Sequence, residues 1–201
     1  MKSLHRPDIF AWSVFDEGKN VDFHGFVWVR PAGNVVVDPV AMSPHDKAHL
    51  AALGGVRWIV ITNSDHVRAS AELALEFGAE ICAPAAEEAD FPIGVSRWLS
   101  DGDAVVPGLE VFALEGSKTR GELALLLDET TLFTGDLVRA HAGGALMMLP
   151  DAKLADRATA IASVARLGAL PMVEAVLVGD GWLVFRDGAD RLAELCVRLG
   201  A

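Results

Sequence analysis

A handful of side chains in this sequence are of types that carry chemistry and sit where the chain is about to turn. Asp65 and His66 follow the apolar run Trp58 to Ile61, Asp38 closes the run Val35 to Val37, and Asp136 lies in Thr134-Gly135-Asp136-Leu137-Val138. Asp180 stands between two glycines, and Lys118 lies in Ser117-Lys118-Thr119-Arg120. Carboxylates and imidazoles carry protons and bind cations, and lysine holds anions, but only where such groups converge. Each has a plainer reading by itself. Asp65 caps a helix beside a half-buried His66, Asp136 caps a turn, and Lys118 is solvated. Asp180-Gly181 is the turn of a hairpin between Val176-Leu177-Val178 and Trp182-Leu183-Val184. His45 and His49 share a helix face in superficial likeness to the H-E-x-x-H zinc motif, yet no third ligand is in sight, so they read as surface residues. Ser100-Asp101-Gly102-Asp103 reads as a turn, and His141 and Arg139 as a loop close enough to a cleft to line it.

The elements that must position these groups follow from pattern. Strands are expected at Ile9 to Phe15, Phe23 to Val29 and Asn34 to Val37, with Pro31 to Asn34 as the turn between the last two. Ser43 then caps a helix that has Pro44 in its first position and runs to about Leu53, before Gly54-Gly55. Trp58 to Thr62 reads as a strand buried on both faces. A helix over Ala69 to Phe77 and a short strand at Ile81 follow. The second half repeats this grammar, with strands at Glu110 to Leu114, Leu123 to Leu127, Thr131 to Thr134 and Ala175 to Val178. Its helices fall at Ala155 to Leu167 and Ala189 to Leu199. Strands that first pair as hairpins and then alternate with helices, twice over, are satisfied by two mixed sheets with helices outside, in one domain spanning 1–201.

Composition narrows the partners. The 201 residues are 52% hydrophobic and carry a formal net charge of −11, without a basic cluster dense enough to track phosphates, so nucleic acid is not expected. No apolar run approaches the ~18 residues a membrane span needs. The opening MKSLHRPDIF lacks a secretory core, and Cys82 and Cys196 read as free thiols, so the expected compartment is the cytoplasm.

Four segments, in order, resemble the metallo-β-lactamase superfamily, the group that includes glyoxalase II. GNVVVDP resembles its strand ending in an aspartate, here Asp38. VITNSDHVR stands where the family has H-x-H-x-D-H, and LEGSKTRGELALLL where it has G-H-T-x-G-S. LFTGDLV matches its G-D turn, and LVGDGW is a weaker match to its G-H-G. The resemblance implies a four-layer αββα sandwich and a hydrolase of ester, thioester or related carbonyl substrates. The departures fall on one side of the family's two-metal site. Its first two histidines become Ile61 and Asn63, the third becomes Lys118 and the last becomes Asp180.

What remains, by this resemblance, is one ligand set: Asp65, His66, Asp136 and Asp180. That set would take a single divalent zinc, manganese or iron, or none. Asp65 would double as proton acceptor, and Lys118 would stand in electrostatically for the lost metal. Asp38 would support the site from behind and Asn63 would face the emptied position. Arg120, Arg139 and Trp182 would contact a small-molecule substrate, anionic if the arginines hold it. The alternative is a catalytically inactive member whose cleft binds a ligand or partner. The expected assembly is a monomer or homodimer.

Overall fold

A computed structural model describes residues 1–201. The first sheet opens as a meander, β1 (Lys2–Ser3), β2 (Ile9–Asp16), β3 (Val21–Trp28) and β4 (Val35–Val37), each antiparallel to the one before. α1 (Pro44–Ala52) then leads to β5 (Trp58–Val60), and α2 (Ser70–Phe77) to β6 (Glu80–Pro84) and β7 (Arg97–Leu99). These last strands pair in parallel, so the seven strands lie in chain order. The second sheet collects β8 (Ala104–Val106), β9 (Leu109–Leu114), β10 (Glu122–Leu127), β11 (Thr131–Thr134) and, beyond a hairpin and α3 (Arg157–Gly168), one further strand. That hairpin is β12 (Val138–Ala142) with β13 (Ala145–Met148); the further strand is β14 (Ala175–Val178), which pairs parallel to β11. α4 (Gly188–Leu199) ends the chain.

The period of two along each strand divides the core into three layers. Phe26, Val35, Val37 and Val60 from the first sheet meet Leu123, Leu125, Phe133 and Leu177 from the second. Their strand neighbours Val27, Val36, Ile59 and Ile81 point the other way and pack under Leu50 of α1 and Leu73 of α2. Ala124, Leu126, Val176 and Val178 likewise face Val164 and Leu167 of α3 and Leu192 of α4. Helix, sheet, sheet, helix is the arrangement expected from the sequence. Each buried leucine or valine contributes roughly 1.5–3 kcal/mol of transfer free energy to it.

Boundaries move where caps decide them. Ser43 does cap α1, its side chain accepting from Asp46 N. α3 starts at Arg157 rather than Ala155 because Asp156 takes the cap, its carboxylate accepting from Thr159 N at 2.6 Å. Four strand pieces were not expected: the two-residue β1, the short β7 and β8, and the β12–β13 hairpin, which replaces the loop read around Arg139 and His141. No helix is long and apolar enough to cross a membrane.

Candidate functional site

Segments that leave β4, β5, β9, β11 and β14 meet at one edge of the sandwich. Asp38 lies just past β4 with φ of +46°, a left-handed backbone that non-glycine residues adopt only under constraint. The constraint is visible: its Oδ1 accepts from Thr62 N at 2.8 Å, and its Oδ2 from Thr62 Oγ1 at 2.6 Å and His66 Nδ1 at 2.7 Å. Asn63 caps the single 3₁₀ turn Ser64–His66, accepting from Asp65 N at 3.0 Å. His66 is thereby fixed with Nε2 3.5 Å from Asp136 Oδ2. Burial alone would lower the His66 pKa, but Asp38 and Asp136 outweigh burial and the Arg68 charge and hold it up to about 9.

Asp136 occupies the centre. It follows Gly135, where a Cβ would come within 2.8 Å of Thr62 Oγ1, so only glycine lets this turn pack on the Asp38 cluster. Lys118 Nζ lies 2.7 Å from Asp136 Oδ2 and 2.7 Å from Asp65 Oδ2. Arg139, on β12, places Nη2 3.1 Å from Asp136 Oδ1 and 2.8 Å from Asp180 Oδ2. Asp65, Lys118, Asp136, Arg139 and Asp180 thus form a row of alternating charge, with both oxygens of the central carboxylate taken by cations. Burial would raise the Asp136 pKa, but His66 and Lys118 hold it well below the usual carboxylate range. Burial would lower that of Lys118, and its hydrogen bonds to Asp136 and Asp65 raise it instead.

Two anchors behind the row keep it in register. Ser117 Oγ donates to Glu122 Oε2 at 2.5 Å and Leu137 N to Glu122 Oε1 at 2.6 Å, which ties the Lys118 loop to the Asp136 turn. Burial, then the nearby Asp136 charge, pushes the Glu122 carboxyl up to about 7. Asp180 is set by backbone: Gly181 N donates to Asp22 O at 2.9 Å, and Trp182 N to Ala140 O at 2.7 Å. His141 Nε2 lies 3.0 Å from Asp180 Oδ2, while Asp180 Oδ1 is buried without a partner.

Asp65, His66, Lys118, Asp136, Arg139 and Asp180 line one cleft of about 990 Å³. Asp38 and Asn63 lie buried behind it, and Asn63 Nδ2 is 3.4 Å from Asp136 Oδ2. Two of the expected substrate contacts lie outside the charged cleft. Arg120 turns away to the exposed carboxylate of Asp90 at 3.3 Å, because its loop is held by Gly121 N donating to Glu87 Oε1 at 3.1 Å. Trp182 is 64% exposed and lines a neighbouring cavity, not the charged cleft, since its backbone pairs with Ala140 and carries the ring past Asp180. The sequence reading missed Arg68. It lines the cleft on a left-handed backbone of φ +40° and donates to the carbonyls of His24 at 3.0 Å and Asp38 at 3.2 Å.

As arranged, the donor set does not fit a transition metal. The space between Asp65 and Asp136 holds an ammonium, and that between Asp136 and Asp180 holds a guanidinium. No three His, Cys, Asp or Glu side chains are gathered so as to hold one ion.

A protein-family model described as the metallo-beta-lactamase superfamily matches residues 1–199. Over 86 residues, 41% of this chain, the sequence is 38% identical to a hydroxyacylglutathione hydrolase of Brucella anthropi, and the match spans 32% of that enzyme, about a third of its length. Among solved structures, the DIM-1 metallo-beta-lactamase superposes with a TM-score of 0.73 at 16% identity, covering 96% of this chain and 94% of that one. FIM-1 from Pseudomonas aeruginosa, in its mono-zinc form, gives 0.70 at 18% identity over 94% and 90% of the two chains. TTHA1623, in a di-iron-bound form, gives 0.70 at 23% over 92% and 98%. At these identities the structural likeness speaks for the fold, and the family match adds kinship along nearly the whole sequence: this chain belongs to the metallo-beta-lactamase superfamily.

Proposed function

We propose that this chain uses the family's cleft without a transition metal, as a binding site for a small anionic molecule. One observation carries the reading: Lys118 and Arg139 occupy the two oxygens of Asp136, the residue that the resemblance places between the metals. A carboxylate so neutralised has little left to offer a divalent ion, and evicting two hydrogen-bonded cations from a buried site leaves each of them to be resolvated or stranded.

The charge left over favours an anion. Asp65, Asp136 and Asp180 are all paired within the row, and Glu72 at the rim is paired with Lys47. Arg68 donates only to backbone carbonyls, and Lys19 reaches Asp16 only at 4.0 Å. Lys153 also lines the cleft and has no carboxylate partner. The cleft therefore keeps a positive surplus within a chain of net charge −11, which recruits anions from solution. The free thiols Cys82 and Cys196 support a reducing compartment, the cytoplasm.

A second reading, a single-metal hydrolase of esters or thioesters with zinc, manganese or iron, is favoured by one atom. Asp180 Oδ1 is buried without a partner and would be satisfied by a cation other than Arg139. Calorimetric titration with acetate and phosphate, beside an aryl-ester and thioester assay with and without added zinc or manganese, separates the two. Saturable anion binding that weakens in Lys153→Gln, without metal-stimulated turnover, supports the proposal. Metal-stimulated turnover overturns it.

A further inference from the structure

We infer that the ligand of this cleft is amphipathic, a carboxylate or similar anion carrying an aliphatic or aromatic tail, with the tail housed in the cavity next door. The inference rests on the anion-binding reading above and adds the part of the ligand which that reading leaves open. A second cavity of about 970 Å³ adjoins the charged cleft, and Lys19, Val21 and His141 line both. The seam is continuous in the backbone as well. His24 lines the second cavity, its Nε2 donating to Gly181 O at 2.7 Å, and its own carbonyl accepts from Arg68 at 3.0 Å. Arg68 and Lys19 both sit over the ring of Phe23, at 5.3 and 4.8 Å from its centroid, so the surplus cations stand beside the seam.

The second cavity differs from the first in the exposed aromatic side chains that line it. Phe15, Trp182 and Phe185 are 53%, 64% and 42% exposed, and they are the only aromatic residues among the large hydrophobic side chains left exposed. All three line this one cavity, with Leu4 and Leu183 at its wall. Single exposed apolar residues are ordinary, but three aromatics converging on one hollow are the signature of a binding site. A ligand that put its charge against Arg68, Lys153 and Lys19 and its tail across Trp182 would cover both halves at once. A simple anion would leave the aromatic half wet. A neutral oil would leave the cations without a partner.

The test uses three probes on the intact protein: acetate, decanoate and 1-decanol, titrated calorimetrically with Trp emission followed in parallel. We expect decanoate to bind at least tenfold more tightly than either of the others and to shift the emission to the blue. The double variant Phe15→Ser/Trp182→Ser, at two exposed positions, should cut the decanoate advantage at least tenfold while acetate binds as before. Acetate and decanoate binding equally well would leave the anion-binding cleft standing and overturn the amphipathic ligand. Decanol binding as tightly as decanoate would overturn it too, since head and tail would then not be read together. If no anion of either length binds, the anion-binding reading itself falls.

Discussion

The Lys118 ammonium, at the sequence position where the resemblance has a histidine, lies 2.7 Å from Asp136 Oδ2. The contact holds a buried carboxylate ionised, so removing the lysine exposes what it was offsetting. Lys118→Ala should destabilise the fold by about 1–3 kcal/mol at pH 7, the usual range for stranding a hydrogen-bonded buried charge. Asp136 has a depressed pKa, so the stability it contributes is present above its ordinary value and lost as pH falls through the folded one. The gap between variant and parent should therefore narrow below about pH 4. Urea denaturation at pH 7 and pH 3.5 checks this, and a gap of constant size would mean that Lys118 acts only by packing.

Glu122 titrates the other way. Its folded pKa is about 7 against a reference of 4.5, so the native state keeps a proton that the unfolded chain releases, and stability falls as pH rises across that window. A shift of this size corresponds to roughly 3 kcal/mol. Glu122→Gln mimics the protonated side chain and can still meet Ser117 and Leu137 N, so it should flatten the decline between pH 4.5 and 7.5. The variant should keep a second decline, because the stability from His66 is complete below 6.5 and is lost as pH rises through about 9. An unchanged slope between pH 4.5 and 7.5 would show that Glu122 is ionised in the fold.

Arg120 makes a negative control. Its pairing with Asp90 is exposed on both sides, and such pairs contribute little. Arg120→Ala should change stability by less than about 0.5 kcal/mol and leave anion affinity unaltered. A fall in affinity comparable to that of Lys153→Gln would return Arg120 to the site.

The Asp38 carboxylate should be needed for the geometry of the cleft. It accepts from Thr62 N, Thr62 Oγ1 and His66 Nδ1 while holding a left-handed backbone. Asp38→Ala removes three acceptor contacts and places alanine at a positive φ, so a loss of about 3 kcal/mol or more is expected. Thermal unfolding measures it, and a loss under 1 kcal/mol would show that the loop holds without the clamp.

Much of this was legible in the residues. Val35 to Val37 and Leu123 to Leu127 are apolar at every position because both faces of their strands are covered, and that pattern survives in sequence. Asp180-Gly181 satisfied both of its readings: Val176 and Val184 do bridge as a hairpin would, and Asp180 is nonetheless 3% exposed and in the cleft. The β12–β13 hairpin was hidden because Arg139 and His141 interrupt its apolar positions, and they do so because they reach Asp136 and Asp180. Arg68 left no periodic signal at all. What places it is a positive φ and two backbone carbonyls, neither of which a residue type announces.

If Lys118 and Arg139 have taken the place of metal around Asp136, elemental analysis of protein purified without a histidine tag and dialysed against zinc and manganese will show it. Well below one equivalent of either metal per chain is expected, with no difference between the parent and Asp136→Ala. A stoichiometry near one that disappears in Asp136→Ala would contradict it.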